Sequence, residues 1–192
     1  MTTNSILLVM DMMNDLVHPE GMGAATYAVQ CRERGVYAAT ATAIARARAA
    51  GIMVGYVRVG FSPSYAECPP GSPVFSKARD NGVFTLGTWG TEVFADFAPQ
   101  EGEPDIVKHR VSPFYGTKLE PLLRARSIGR LILTGVSTNG VVSAAVREGH
   151  DRDYACVILE DCCAGATADE HEHAMSGLKR YATVTTADAF PT

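Results

Sequence analysis

The sequence has no excess of positive charge, no long apolar run and no cysteine pattern of a metal or disulfide framework. Each absence removes a class of function. Its 192 residues hold 17 Lys and Arg against 21 Asp and Glu, a formal net charge of −4. Binding a phosphate backbone needs a basic face, so no nucleic-acid partner is expected. No apolar segment reaches the length of a membrane span, and Met1-Thr2-Thr3-Asn4 runs directly into a strand-like stretch without the pattern of a cleavable leader. No membrane partner is expected either. The five cysteines (Cys31, Cys68, Cys156, Cys162, Cys163) are odd in number and lack zinc-ligand spacing. Reduced thiols in a cytoplasmic protein are the expectation. Hydrophobic residues make up 46% and charged residues 20%, with no repeat, low-complexity tract or linker. One domain over residues 1–192, with a sizeable core, follows from that balance.

Short apolar runs alternate with helical patterns. Ile6–Asp11 is a near-continuous apolar run, as in a strand buried on both faces of a parallel sheet. Arg32–Ala50 reads as one long Ala/Arg helix ended by Gly51. Further strands are predicted at Met53–Val59, Ile106–Arg110, Leu131–Val136, Cys156–Asp161 and Thr183–Thr186. Helices are predicted near Thr117–Ala125, Thr138–Asp151 and Ala168–Tyr181. This βαβ alternation predicts a three-layer αβα, Rossmann-like fold with a mostly parallel sheet. The stretch from Phe61 to Glu103 is different, being long and broken by Pro63, Pro69, Pro70 and Pro73. Loops of that length inside a compact domain are usually functional, as a pocket wall, lid or oligomer contact.

Ligands of open parallel sheets sit beyond the carboxyl ends of the strands. The strand-ending residues are therefore the ones to inspect: Asp11, Arg58, Lys108, Ser137 and Asp161. Asp11 closes the first strand, where burial raises a carboxyl pKa and a nearby cation lowers it. Asn14 and Asp15 beside it also suit a simple turn. Lys108 lies in a strand-like run, placed to ion-pair with Asp11 and to carry charge for an anion. Alternation puts His109 on the opposite face, as a structural polar residue. Thr134–Val142 turns from strand to helix through Gly135, Ser137, Thr138, Asn139 and Gly140, and presents backbone N–H groups of the kind that hold anions. Ser137 and Thr138 also serve as plain helix caps, and Val141, Val142, Ala145 and Val146 repeat like a buried helix face.

These segments together resemble the isochorismatase-like hydrolase superfamily, which includes nicotinamidases and N-carbamoylsarcosine amidases. The resemblance covers nearly the whole chain. It is carried by LLVMDMMND (Leu7–Asp15), GTWGTEV (Gly87–Val93), VKHRVSPFYGTKLEPLLRARSI (Val107–Ile128), LILTGVSTNGVVSAAVREGHDRDY (Leu131–Tyr154) and VILEDCCA (Val157–Ala164), in that order. It implies a six-stranded sheet of order 3-2-1-4-5-6 and a cis peptide at Val136–Ser137. It also implies a catalytic set of an aspartate, a lysine and an elbow cysteine, matching Asp11, Lys108 and position 141. Two departures stand out. Nicotinamidases hold a metal on an Asp and two His residues after the second strand, whereas Arg58–Tyr65 has neither, so no metal or other cofactor is expected. Position 141 is a valine, which cannot attack a carbonyl or form a thioester.

Isochorismatases themselves cleave a vinyl ether without a protein nucleophile, and that chemistry remains open to Asp11 and Lys108. The expectation is a cysteine-independent hydrolase of a small carboxylate-bearing molecule. Asp11 is its general acid/base, Lys108 its electrostatic partner, and the backbone N–H groups around Ser137, Gly140 and Val141 its anion hole. Phe84, Trp89 and Tyr115 are expected as aromatic pocket walls, and Arg79 or Arg110 as bidentate holders of a substrate carboxylate, with surface salt bridges as the alternative. The other readings are a non-catalytic ligand-binding relative and an amide hydrolase that uses Cys162 or Cys163. A homo-oligomer, dimer or tetramer, is implied by the resemblance.

Overall fold

The computed structural model describes residues 4–190. Met1–Thr3, read above as carrying no leader, lie outside the described residues. Six parallel strands form one sheet: β1 (Asn4–Met10), β2 (Met53–Val59), β3 (Asp105–Lys108), β4 (Ile128–Val136), β5 (Ala155–Ala164) and β6 (Thr183–Thr185). Their order is β3-β2-β1-β4-β5-β6. The chain therefore starts in the middle of the sheet, winds outward to β3, crosses back to β4 and winds out to β6. The crevice where the winding reverses lies between β1 and β4, at their carboxyl ends.

Both faces of this sheet are covered, which explains why β1 is apolar at consecutive positions rather than alternate ones. Leu7, Val9, Val54, Tyr56 and Ile132 pack on one face with Val36, Ala43, Ile44 and Ala47 of α3 (Val36–Ala49). Ile6, Leu8, Met10, Leu131 and Leu133 pack on the other with α5 (Leu119–Ala125), α6 (Ser143–Asp151) and α7 (Ala168–Leu178). Each of these fully buried aliphatic side chains stabilises the fold by about 1.5–3 kcal/mol.

The single helix expected over Arg32–Ala50 is in fact two, α2 (Val29–Glu33) and α3, separated at Gly35. Gly35 has φ 70°, a left-handed conformation that only glycine adopts cheaply and that no continuous helix contains. β3 stops at Lys108, two residues short of the expected Arg110. β5 runs three residues past the expected Asp161, because it bulges: Leu133 faces Ile158, yet Gly135 faces Cys163. Helices α1 (Asn14–Val17) and α4 (Ala78–Asn81) are single turns.

The long 61–103 segment is pinned rather than loose. Phe61 and Thr85 bridge, as do Met13 and Val93. The Asp15 carboxylate accepts the Phe84 N–H at 2.7 Å, and the Asn14 side chain donates to the Trp89 carbonyl at 2.9 Å. Arg58 clamps Asp105 through two hydrogen bonds of 2.8 and 2.6 Å and also donates to the Thr91 carbonyl. Asn14, Asp15 and Arg58 thus serve to anchor this segment beside the carboxyl ends of β1 and β2.

Candidate active site

Asp11 is the first residue beyond β1 and has φ 56°. A positive φ is uncommon outside glycine. Its N–H donates to the Val57 carbonyl at 2.7 Å, which ties the turn to β2. Parallel register sets Val59 of β2 against Lys108 of β3, so both reach the same carboxylate. The Val59 N–H donates to Asp11 Oδ1 at 2.9 Å, and Lys108 Nζ lies 2.9 Å from Oδ2. Lys108 Nζ also donates to the Arg110 carbonyl at 3.1 Å. The Lys108 side chain is only 2% exposed and that of Asp11 7%. Burial pushes the Asp11 carboxyl above its ordinary pKa, while the charge and hydrogen bond of Lys108 and the Val59 N–H pull it back.

The elbow after β4 forms the opposite wall. The Val136–Ser137 peptide is cis, as the resemblance implies. Thr138–Val142 then forms a π-helical turn that leads into α6. The Gly140 N–H is already used inside this turn, donating to the Ser137 carbonyl at 3.1 Å, which removes it from the expected anion hole. A side chain at position 140 would also meet Ser137 Oγ at 2.6 Å. Glycine therefore leaves room for that hydroxyl, which has no hydrogen-bond partner among the described residues.

Asp11, Lys108, Ser137, Gly140 and Val141 surround one cavity of about 380 Å³, completed by Tyr27, Val59, Val74, Phe75, Val111 and Asn139. That is the size of a small-molecule site. A wider groove of about 730 Å³ lies at the amino ends of β5 and β6, where Arg130, His150 and Lys179 are among the lining residues. No carboxylate among the described residues lines it. Two further pockets, of about 440 and 470 Å³, hold Glu160, His171 and Glu172 in the first and Asp169, Glu170 and His173 in the second, but neither contains the buried Asp11–Lys108 pair at the carboxyl ends of the strands.

None of the five side chains expected as pocket walls or carboxylate holders lines this cavity. Phe84 is buried in the core with Phe61 and Phe75. Trp89 packs edge-on against His18 at a centroid distance of 4.8 Å, and Tyr115 is largely exposed. Arg79 donates to the Ser64 and Tyr65 carbonyls, both at 3.2 Å. Arg110 donates to the Glu67 and His109 carbonyls at 2.9 and 2.6 Å. Each guanidinium donates to backbone through one nitrogen, and neither forms a salt bridge among the described residues or lines the cavity. His109 is structural: its Nδ1 lies 2.6 Å from the Gly60 carbonyl and its ring stacks on Phe61. Of the other strand-ending residues, Arg58 clamps the long segment and Asp161 accepts the Ala187 N–H at 2.9 Å.

Cys162 and Cys163 are both fully buried, packed in the cores on opposite faces of the sheet. Burial pushes the Cys163 thiol up to about 12 and that of Cys162 higher still. None of the five cysteines lines the cavity. The nicotinamidase metal set does not fit either, since Val59, Gly60 and Phe61 follow Arg58 where acidic and imidazole ligands are needed.

A buried network behind the elbow was not anticipated from sequence. His171 of α7, 1% exposed, places Nδ1 2.8 Å from Thr138 Oγ1 and Nε2 2.8 Å from Glu160 Oε1. Arg34 completes it, 2.5 Å from the same Glu160 oxygen. The β5 bulge puts Glu160 there, and an isolated sequence gives no sign of a bulge of that size. Tyr27 and Asn139 were also missed. Asn139 sits in the elbow, where its sequence context marks only a turn, and nothing near Tyr27 marks a pocket.

The model of the isochorismatase domain matches residues 5–189 of this chain. An isochorismatase family protein from Desulfovibrio vulgaris is 25% identical and superposes with a TM-score of 0.87, covering 98% of this chain and 96% of its own. N-carbamoylsarcosine amidase from Thermoplasma acidophilum is also 25% identical, with a TM-score of 0.77 over 98% of this chain and 99% of that one. A cysteine hydrolase from Pseudomonas syringae shares the fold at 22% identity, with a TM-score of 0.85 over 96% and 89% of the two chains. Sheet order, the aspartate–lysine pair at the carboxyl ends of β1 and β3, and the match along almost the full length converge: the chain belongs to the isochorismatase family of hydrolases.

Proposed function

We propose that this chain hydrolyses a small molecule by acid–base chemistry, without a protein nucleophile. The observation that carries the reading is the Asp11–Lys108 pair, closed at 2.9 Å, nearly dehydrated and lining the cavity opposite Val141. Val141 stands where the resemblance places the nucleophilic cysteine, and it offers no atom able to form a thioester. Asp11 is then the group that exchanges a proton with substrate or water. Its raised pKa brings its protonated form closer to neutral pH, which suits a general acid. Lys108 holds the carboxylate in place and offsets the charge that returns to it when the proton leaves. Ser137 and Val141 line the same space, and in this reading the Ser137 hydroxyl and the backbone N–H groups there are the donors for developing negative charge. A vinyl ether, an ester or an activated amide satisfies this arrangement.

A relocated thiol finds no support, because both candidates are buried in the cores away from the cavity. Five unpaired cysteines support assignment to a reducing compartment, the cytoplasm. The test is turnover of a panel of vinyl ethers, esters and amides by wild type and Asp11→Asn, with folding checked by circular dichroism. The expected loss is at least about 100-fold in kcat/KM. Undiminished turnover in Asp11→Asn sinks the mechanism. Tight binding with no turnover in wild type points instead to a ligand-binding relative.

A further inference from the structure

The cavity's charge inventory speaks to the substrate. Asp11 and Lys108 are the only charged side chains that line it, and they neutralise each other at 2.9 Å. The Lys108 ammonium spends a second donor on the Arg110 carbonyl, and both Asp11 oxygens are occupied. Arg79 and Arg110, expected from sequence to hold an anion, do not line the cavity and donate to backbone carbonyls. The rest of the wall is Tyr27, Val59, Val74, Phe75, Val111 and Val141, with a polar corner at Ser137 and Asn139. The rim is apolar too, for Val74 is 65% exposed there.

A carboxylate entering this space loses its hydration and meets, among the described lining residues, no cation besides Lys108, which is already paired with Asp11. Capturing Lys108 would strip Asp11 of its counterion, leaving one buried carboxylate unpaired in either case. Such a charge costs several kcal/mol. An uncharged molecule pays no such penalty, and its apolar body gains from the valine and phenylalanine walls.

Resting on the reading of this cavity as the substrate site, we infer that it selects an uncharged substrate over the carboxylate of the same shape. That substrate has a compact hydrocarbon or aromatic body and one polar head directed at the Ser137 hydroxyl, since the Asn139 side-chain amide N–H already donates to Glu170 at 3.1 Å. This reverses the carboxylate-bearing substrate expected from sequence. The reversal follows from where the two arginines point.

Calorimetric titration of the full chain at neutral pH compares benzamide with benzoate and isobutyramide with isobutyrate. Each amide is expected to bind at least tenfold more tightly than its acid, about 1.4 kcal/mol. Equal or tighter binding of the acids overturns the inference, and so does absence of binding by both amides. Asp11→Asn leaves Lys108 without its counterion and is expected to shrink or invert the preference. Val74→Lys, at an exposed rim position that does not threaten folding, adds a free cation and is expected to shrink it at least threefold. An unchanged preference in Val74→Lys contradicts the charge argument even if Asp11→Asn fails to fold. Because binding is read without turnover, the two readings fail separately. Amide preference with no hydrolysis of any probe removes the hydrolase and keeps the selectivity. Hydrolysis confined to carboxylates does the reverse.

Discussion

Lys108 is 2% exposed, and the partners of its ammonium are the Asp11 carboxylate and the Arg110 carbonyl. A buried ion pair stabilises little as a pair, but either half alone is costly. Lys108→Met is therefore expected to destabilise the chain by about 3–5 kcal/mol in denaturant unfolding. The double variant Asp11→Leu/Lys108→Met should recover most of that loss. A double variant no more stable than Lys108→Met refutes the pairing as the cause. Both residues were legible in sequence because each ends an apolar strand, where a charge has no structural reason to sit. The aromatic walls were not legible. Phe84 and Trp89 lie in the same segment as Phe75, and only folding decides which ring faces the cavity and which faces the core.

Gly135 governs the entrance to the elbow. It has φ 128°, and a Cβ there would overlap the Met10 carbonyl oxygen across the β1–β4 pairing. Gly135→Ala combines strain with a backbone clash and is expected to cost roughly 2 kcal/mol or more, read as a lowered unfolding midpoint. The elbow itself was visible in sequence as a cluster of Gly, Ser, Thr and Asn between a strand and a helix. Its internal hydrogen bonds were not, and they are what engage the Gly140 N–H expected from sequence as an anion donor. The same holds for the break at Gly35: Ala and Arg on both sides carry the helical pattern across it, and only the backbone geometry separates α2 from α3. The long 61–103 segment hangs on a few bonds, among them the Phe84 N–H to Asp15 at 2.7 Å. Asp15→Ala leaves that N–H unsatisfied in a buried place and should cost about 1–3 kcal/mol. Limited proteolysis is expected to show faster cleavage between residues 61 and 103, whereas unchanged cleavage would mean the anchor is elsewhere.

At the scale of the molecule, alternation and apolar runs sufficed to read the layers and the parallel sheet. The order of the strands came with the resemblance, since β3 and β6 at opposite edges differ little in sequence character. That order brings residues 11, 108 and 137–141 to one crevice despite their separation along the chain. It also sets two opposing pH dependences. Glu103, in a bidentate contact with Arg48 of α3 at 2.8 Å, is pushed up by burial, but the Arg48 hydrogen bonds and the Gln100 N–H outweigh this and hold its carboxyl below the ordinary range. Its contribution is present above the unfolded pKa and is lost as pH falls through the folded value. Asp11 has the opposite sign, because its folded pKa is raised: its contribution is full below the unfolded value and is lost as pH rises through the folded one. Glu103→Gln is thus expected to be less stable than wild type at neutral pH, with the gap closing below about pH 4. A gap that persists in acid would assign the loss to packing instead.

The measurement that bears most directly on catalysis is kcat/KM for the best uncharged substrate in wild type, Asp11→Asn and Cys162→Ala/Cys163→Ala. Acid–base hydrolysis through Asp11 predicts a fall of at least about 100-fold in the first variant and wild-type turnover in the second. The reverse pattern, with Asp11→Asn active and the cysteine variant inactive, would contradict it.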